Sequence, residues 1–293
     1  MQEIDQTLRD RRMSVPARIL GAVAESSKRL GTTLPLSHPG RELRKLPGVF
    51  IGESLSRHIQ DWVIERYGKR LGIDADLGRV AVTINGDPWL MRVPMVIGRQ
   101  FIHGWDRRLL PTTEQIQNIV VGGKLNVFDS IDGLTQTLAR QISESDADRI
   151  VQVFGEAYVL FREFTFTYGN EGLARFASAD LSRSATQALH MPTLAVSRWD
   201  SLQAAEKSLK LYIHRQGQRF AEIHNLSKLA VAAYSCGLPS IDPALLAAAQ
   251  CSASVRYVLE QHTVEGTMAA HSAAIKIGYA VVKALMKGAS SSP

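Results

Sequence analysis

Cysteine is scarce in this chain: two in 293 residues, Cys236 and Cys251. Two thiols cannot build a disulfide framework, and their spacing is not that of metal ligands, so both read as core or helix-surface groups of a reducing compartment. No apolar run approaches the ~18 residues that cross a bilayer. The polar N-terminus MQEIDQTLRDRRM has no signal-peptide core. The expectation is a cytoplasmic protein with no membrane partner. Gly-x-Ser-x-Gly, His-Glu-x-x-His and paired-cysteine motifs are absent too, which argues against the common hydrolases and zinc enzymes. Val121-Gly122-Gly123-Lys124 lacks the spacing of a phosphate loop. There is no internal repeat, and low complexity is confined to the terminal GASSSP.

What is present is a globular composition, 45% hydrophobic and 21% charged, which excludes global disorder. The net charge of +6 favours an anionic partner such as RNA, DNA or a nucleotide. The basic residues are spread along the chain in short clusters (9–12, 41–45, 106–108), a pattern that surface solubility also produces.

Periodicity divides the chain into four parts. Residues 1–48 read as an N-terminal helical arm and linker. Ile4, Leu8, Ile19, Leu20, Val23 and Leu30 carry a helical pattern, and GTTLPLSHPG (31–40) breaks it. Residues 49–196 read as a central α+β domain. An amphipathic helix over 53–71 places Leu55, Ile59, Trp62, Val63 and Tyr67 on one face. RVAVTI (79–84) and PWLMRVPMVIG (88–98) then flank the hairpin turn Asn85-Gly86-Asp87. Pro88 and Pro94 cannot donate to a ladder, so the second strand is expected at a sheet edge. Residues 116–129 read as a further strand or a short helix. Helices follow over 132–143 and 145–164, the second capped by Ser145 and burying Ile150, Phe154, Ala157, Phe161 and Phe164.

Residues 197–288 read as an up-and-down bundle of four helices. One stripe runs through Trp199, Leu202, Ala205, Leu209, Tyr212 and Ile213, and another through Ile223, Leu226, Leu229, Ala230 and Ala233. Asp242 caps a helix with Pro243 at its first position and an end near Leu259. The last helix repeats Met268, Ser272, Ile275, Tyr279, Val282 and Met286, with Gly288 at its end. Residues 289–293 form a disordered tail. The fold class is therefore α+β and mostly helical, with a small antiparallel β unit and a C-terminal bundle.

WDSLQAAEKSLK in the first bundle helix, IHNLSKL in the second and SVRY before the last resemble the HEPN (higher eukaryotes and prokaryotes nucleotide-binding) domains. The likeness covers roughly 197–287, a third of the chain. It implies a four- to five-helix bundle that binds RNA or a nucleotide and forms a homodimer through that bundle. In many members it is a metal-independent endoribonuclease of toxin or defence type. No metal and no cofactor is implied. The family's arginine-and-histidine motif falls on Arg256 and His262. There arginine would hold the scissile phosphate through its planar fork, and histidine would relay the proton between the 2′-hydroxyl and the leaving oxygen. Tyr257, His224, Arg219 and Lys207 would contact the substrate.

The spacing alone is not distinctive. Arg183–His190 and Arg219–His224 also satisfy it, about as many pairs as chance supplies; the place in the bundle singles out the last pair. Tyr257 after the arginine resembles the branch found beside nucleotidyltransferases, where catalysis is often absent. Six residues on one continuous helix also rotate by about 240°. The two side chains then converge only if the helix ends near Glu260 and His262 turns back, or if each meets its counterpart on a second subunit.

Three function classes follow. One is a HEPN-type RNA-binding protein or endoribonuclease. The second is a non-catalytic dimerisation or interaction module serving another enzyme, with Arg256 engaged in a structural ion pair; separately, His224 also reads as a packing or capping residue and Glu206-Lys207 as a structural ion pair. The third is a small-molecule enzyme sited in the central domain, which a deep apolar pocket lined by His58 or His103 would favour. His58, Asp61 and Glu65 share a helix face at metal-ligand spacing, though a solvated face explains them better. The loop His103-Gly-Trp-Asp-Arg-Arg suits base stacking, or a Trp105 anchor.

Overall fold

The computed structural model describes residues 1–11, 13, 18–35, 43–67, 76–109, 119–256 and 262–290, with backbone alone at 96–102, 119–124, 253, 256 and 289–290. The chain divides into two units, residues 1–75 with 117–121 and residues 76–116 with 122–293.

The first unit packs α1 (Gln2–Asp10), α2 (Arg18–Leu30) and α3 (Gly52–Tyr67) around Ile4, Leu8, Ala22, Val23, Ile59 and Val63. Asp5 is buried here. The Tyr67 hydroxyl donates to it at 2.5 Å, and Arg9, Arg66 and Arg18 approach at 3.0, 3.1 and 3.8 Å. Burial pushes its carboxyl up, but the tyrosine and the three guanidinium groups outweigh that and hold it below the usual range. Asp61 pairs with Lys45 at 2.6 Å and Arg57 at 2.9 Å, as a solvated helix face would. No cluster able to hold a metal occurs among the described residues.

The second unit begins with the hairpin. Asn85 and Gly86 adopt φ of 52° and 88°, as a two-residue turn matched to strand twist requires. β1 (Asp76–Ile84) and β2 (Asp87–Gly104) pair antiparallel, Ile84 opposite Asp87 and Val80 opposite Met91. With β3 (Ile119–Asn126) the order is β1-β2-β3, so β2 is the central strand, against the expectation drawn from its prolines. The β1–β2 ladder accommodates Pro88 all the same. The amides of Arg79 and Ala81 donate away from β2, to Ser182 Oγ at 3.2 Å and His271 Nε2 at 3.0 Å. Pro88 lies opposite Thr83, two residues further along, where neither amide serves the β1–β2 ladder, so its missing N–H costs no bond there.

β1 is thus the exposed-edge candidate, and side chains cover it. Besides Ser182 and His271, Arg149 Nη2 donates to the Thr83 carbonyl at 3.3 Å. Such capping blocks pairing with another chain.

α4 (Gln136–Gln141) is shorter than the expected 132–143. α5 (Glu144–Arg162) is capped by Ser143, not Ser145, whose Oγ accepts from Asp146 N at 3.1 Å. Ile150, Phe154, Ala157 and Phe161 are buried as the periodicity predicts, and Phe164 extends the stripe through a wider turn at Glu163–Thr167. Gly78 lies beneath Phe161, where a β-carbon would come within 2.3 Å of the ring.

α6 (Gly172–Gln187), which the periodicity did not reveal, packs along α7 (Leu194–Arg215). The boundary drawn at 196/197 falls inside α7. α8 (Leu226–Ser235), α9 (Pro243–Ala249) and α10 (Val264–Ser290) complete the chain, and α10 packs on α7 and α9. Asp242 caps α9 as expected, accepting from Ala244 N at 2.8 Å. The helix stops at Ala249, well short of Leu259, and α10 runs past Gly288 to Ser290. α8 starts only at Leu226, capped by Asn225, which accepts from Lys228 N at 2.9 Å, so Ile223 and His224 precede it. The architecture is mostly helical α+β with a C-terminal helical bundle. No helix among the described residues is long and apolar enough to cross a membrane.

Candidate phosphate-binding site

Arg256 ends a tight 3-10 turn, Ala253–Arg256, and His262 stands two residues before α10 begins. The pair is therefore not carried on one continuous helix. The Arg256 side chain and all of Tyr257 lie outside the described residues. The His262 ring is half-buried, and its Nε2 is enclosed without a hydrogen-bond partner.

The residues after His262 build the start of α10. Thr263 caps it, with Oγ1 accepting from Gly266 N at 3.1 Å and the carbonyl from Thr267 N at 3.0 Å. The first amides of a helix otherwise point at whatever lies beyond its end, and the backbone dipoles make that end positive. Thr267 is fully buried, and its Oγ1 has no partner.

Arg198, in the second turn of α7, reaches this corner. A β-carbon on Gly266 would sit 3.4 Å from its Nη1. The guanidinium makes one long bond, Nη2 to the Gln250 carbonyl at 3.5 Å, and its Nε is enclosed without a partner. Among the described residues no carboxylate pairs with it. A half-buried guanidinium beside a helix N-terminus, lacking a counter-charge, favours an anion. Glu265 in the same first turn lines a separate cavity of about 470 Å³ between β1, α5 and α10, opposite Arg149. Cys251 Sγ contacts the Arg198 carbonyl at 3.7 Å, and burial pushes this thiol up to about 11, so it is no nucleophile.

The expected substrate contacts lie elsewhere. Lys207 Nζ bonds Asp180 at 2.5 Å and Gln203 Oε1 at 3.0 Å. Asp180 also pairs with Arg183, which reaches Asp200 at 3.1 Å. Burial raises Asp200 above the usual carboxylate range, with Arg183 partly offsetting it. His224 Nδ1 meets Glu206 Oε2 at 2.7 Å, and the ring stands edge-on to Trp199. Lys210 bridges Glu206 and Glu222 at 2.9 and 3.0 Å. Burial works against the Lys210 charge, but the two carboxylates outweigh it and raise the ammonium. This face of α6 and α7 holds Asp180, Asp200 and Glu206, all buried, and its cations are already engaged. Arg219 is exposed in the α7–α8 loop.

Sequence reasoning missed Arg198, which reads as one more surface arginine in SRWD; that no carboxylate among the described residues pairs with it is visible only in three dimensions. It also missed His271, which is fully buried. Because Nε2 accepts from Ala81 N, the ring proton sits on Nδ1, 3.0 Å from Ser184 Oγ. Ser197 and Ser201 complete that buried cluster at 3.1 and 2.7 Å from Ser184. The 103–108 loop is anchored: Trp105 Nε1 donates to Asp148 at 2.9 Å and Arg107 covers the indole face. Burial lowers His103, which lies against Phe154. No protein-family model, curated protein or solved structure matches the chain.

Proposed function

We propose that this chain is an RNA-binding protein of the HEPN type, which holds a phosphodiester at the start of α10 and cuts RNA without a metal ion. The observation that carries the reading is the corner itself. The Arg198 guanidinium, which pairs with no carboxylate among the described residues, lies against Gly266, four residues after a half-buried histidine whose Nε2 has no hydrogen-bond partner among them. The resemblance supplies Arg256, the last residue of the Ala253–Arg256 turn, as the second phosphate ligand.

The chemistry asked of these groups is modest. Neutral His262 takes the proton of the 2′-hydroxyl as that oxygen attacks phosphorus. Arg198 and Arg256 offset the charge that builds on the non-bridging oxygens. The P–O5′ bond breaks, and the imidazolium returns the proton to the leaving oxygen, giving a 2′,3′-cyclic phosphate and a 5′-hydroxyl. The bundle pairs two chains into a homodimer. The test is cleavage of single-stranded RNA by the whole protein in excess chelator. We expect cutting that drops at least about 100-fold in Arg256→Ala and in His262→Ala, in line with loss of a general acid–base group. Cutting that neither substitution changes removes both residues from the mechanism.

One observation favours the rival class, a non-catalytic module that dimerises or docks a partner enzyme. Lys207 and His224 are tied to Asp180 and Glu206, so two of the groups first assigned to substrate are already engaged in structural pairs. A stable dimer with no turnover, measured by light scattering beside the same assay, selects that reading.

A further inference from the structure

The first unit contains a cavity of about 460 Å³ that no step of the phosphate chemistry uses. Its wall is apolar, formed by Ile4 from α1 and Leu55, Ile59 and Trp62 from α3. Leu30 and Phe50 also line it and are 58% and 60% exposed, which makes them its mouth. Large apolar side chains left in water around a concave apolar surface mark binding sites on proteins.

Two polar groups interrupt this wall. Ser26, on α2, is 4% exposed, and its Oγ has no hydrogen-bond partner. His58, on α3, stacks on Phe50 with ring centroids 4.8 Å apart, and its Nε2 is likewise enclosed and unpartnered. Buried polar groups are almost always satisfied, so two such groups on one apolar cavity are unexpected in a purely structural core. Both can donate, Ser26 through its hydroxyl and His58 through Nε2–H in the tautomer that places the proton there. A ligand presenting two acceptors satisfies both. Arg29 lines the same cavity but is paired with Glu25 and Glu3, so the choice of a carboxylate rests on its two oxygens, which can accept from both donors at once.

We propose that this cavity binds a small amphiphilic carboxylate, with an alkyl or aryl body of about ten carbons, a size suited to a pocket of this class. The body packs on Leu55, Ile59 and Trp62, and the carboxylate accepts from Ser26 and His58. The site is independent of the phosphate reading and stands or falls separately.

The test is calorimetric titration of sodium decanoate, kept below its micellar concentration, into the full-length chain. We expect one saturable site per chain. Ser26→Ala with His58→Phe should weaken it about tenfold or more, as loss of two hydrogen bonds to a charged group predicts. Leu55→Trp, which fills the cavity, should abolish it. Ser26→Ala removes a hydroxyl that has no partner, so that variant keeps its fold, checked by circular dichroism. Absence of saturable binding to the wild-type protein, or binding unchanged by these substitutions, overturns the proposal. Decanol binding as tightly as decanoate overturns the carboxylate assignment.

Discussion

His271 Nε2 accepts a 3.0 Å hydrogen bond from the backbone amide of Ala81, joining the long last helix to the outer strand of the sheet. The bond needs a neutral ring, and burial lowers the His271 pKa to about 4. An unfolded histidine titrates near 6.5. Between those values the unfolded chain binds the proton and the native chain does not, so stability rises with pH across the window. The contribution is complete above pH 6.5 and is lost as pH falls towards 4, about 3 kcal/mol in all. His271→Phe leaves the Ala81 amide unpaired and should cost ~1–3 kcal/mol at neutral pH. The gap between wild type and variant should narrow by about 2 kcal/mol between pH 7 and pH 5, read from urea unfolding at each pH. A gap that stays constant contradicts the assignment of a neutral ring.

Gly78 fixes how closely the hairpin lies on α5. A β-carbon there would meet Phe161, fully buried, at 2.3 Å. The ring is fully buried, so Gly78→Ala should destabilise by about 2 kcal/mol or more, as overpacked cores do. Denaturant midpoints of the variant and wild type check it.

Lys207 separates structure from substrate binding. Its 2.5 Å pair with Asp180 is largely buried, and Arg183 remains to hold the carboxylate once the lysine is gone. Lys207→Ala should therefore cost about 1–2 kcal/mol of stability while leaving RNA affinity within twofold of wild type. Fluorescence anisotropy alongside urea unfolding distinguishes the two effects.

The sequence is most legible where large apolar residues repeat or a turn has special chemistry. Asn85-Gly86 names its own hairpin. Ile150, Phe154, Ala157 and Phe161 are all buried as spaced, and in α10 Met268, Ile275 and Val282 face inward, with Met286 left outside. α6 went unread because its stripe holds one large apolar residue, Leu181, among Ala174, Ala177, Asp180, Ser184 and Ala185, residues whose burial depends on a close neighbour. The end of α9 was placed too late because nothing after the alanine run is a glycine or proline stop, whereas Gln250 turns to extended backbone and its side chain bonds His224 O and Cys251 O. That early stop frees Arg256 and His262 from a shared helix. Arg198 carries no signal in the sequence, since whether a carboxylate among the described residues reaches it is a property of the packed chain.

The most direct measurement is the affinity of full-length protein for a labelled single-stranded RNA as salt is raised, comparing wild type with Arg198→Ala. The substitution removes only one long hydrogen bond, so the fold should survive with little loss. Affinity should fall about tenfold at low salt, and the slope of log affinity against log salt should flatten by roughly one phosphate contact. Equal affinity and equal slope in the two proteins would contradict a phosphate held at the start of α10.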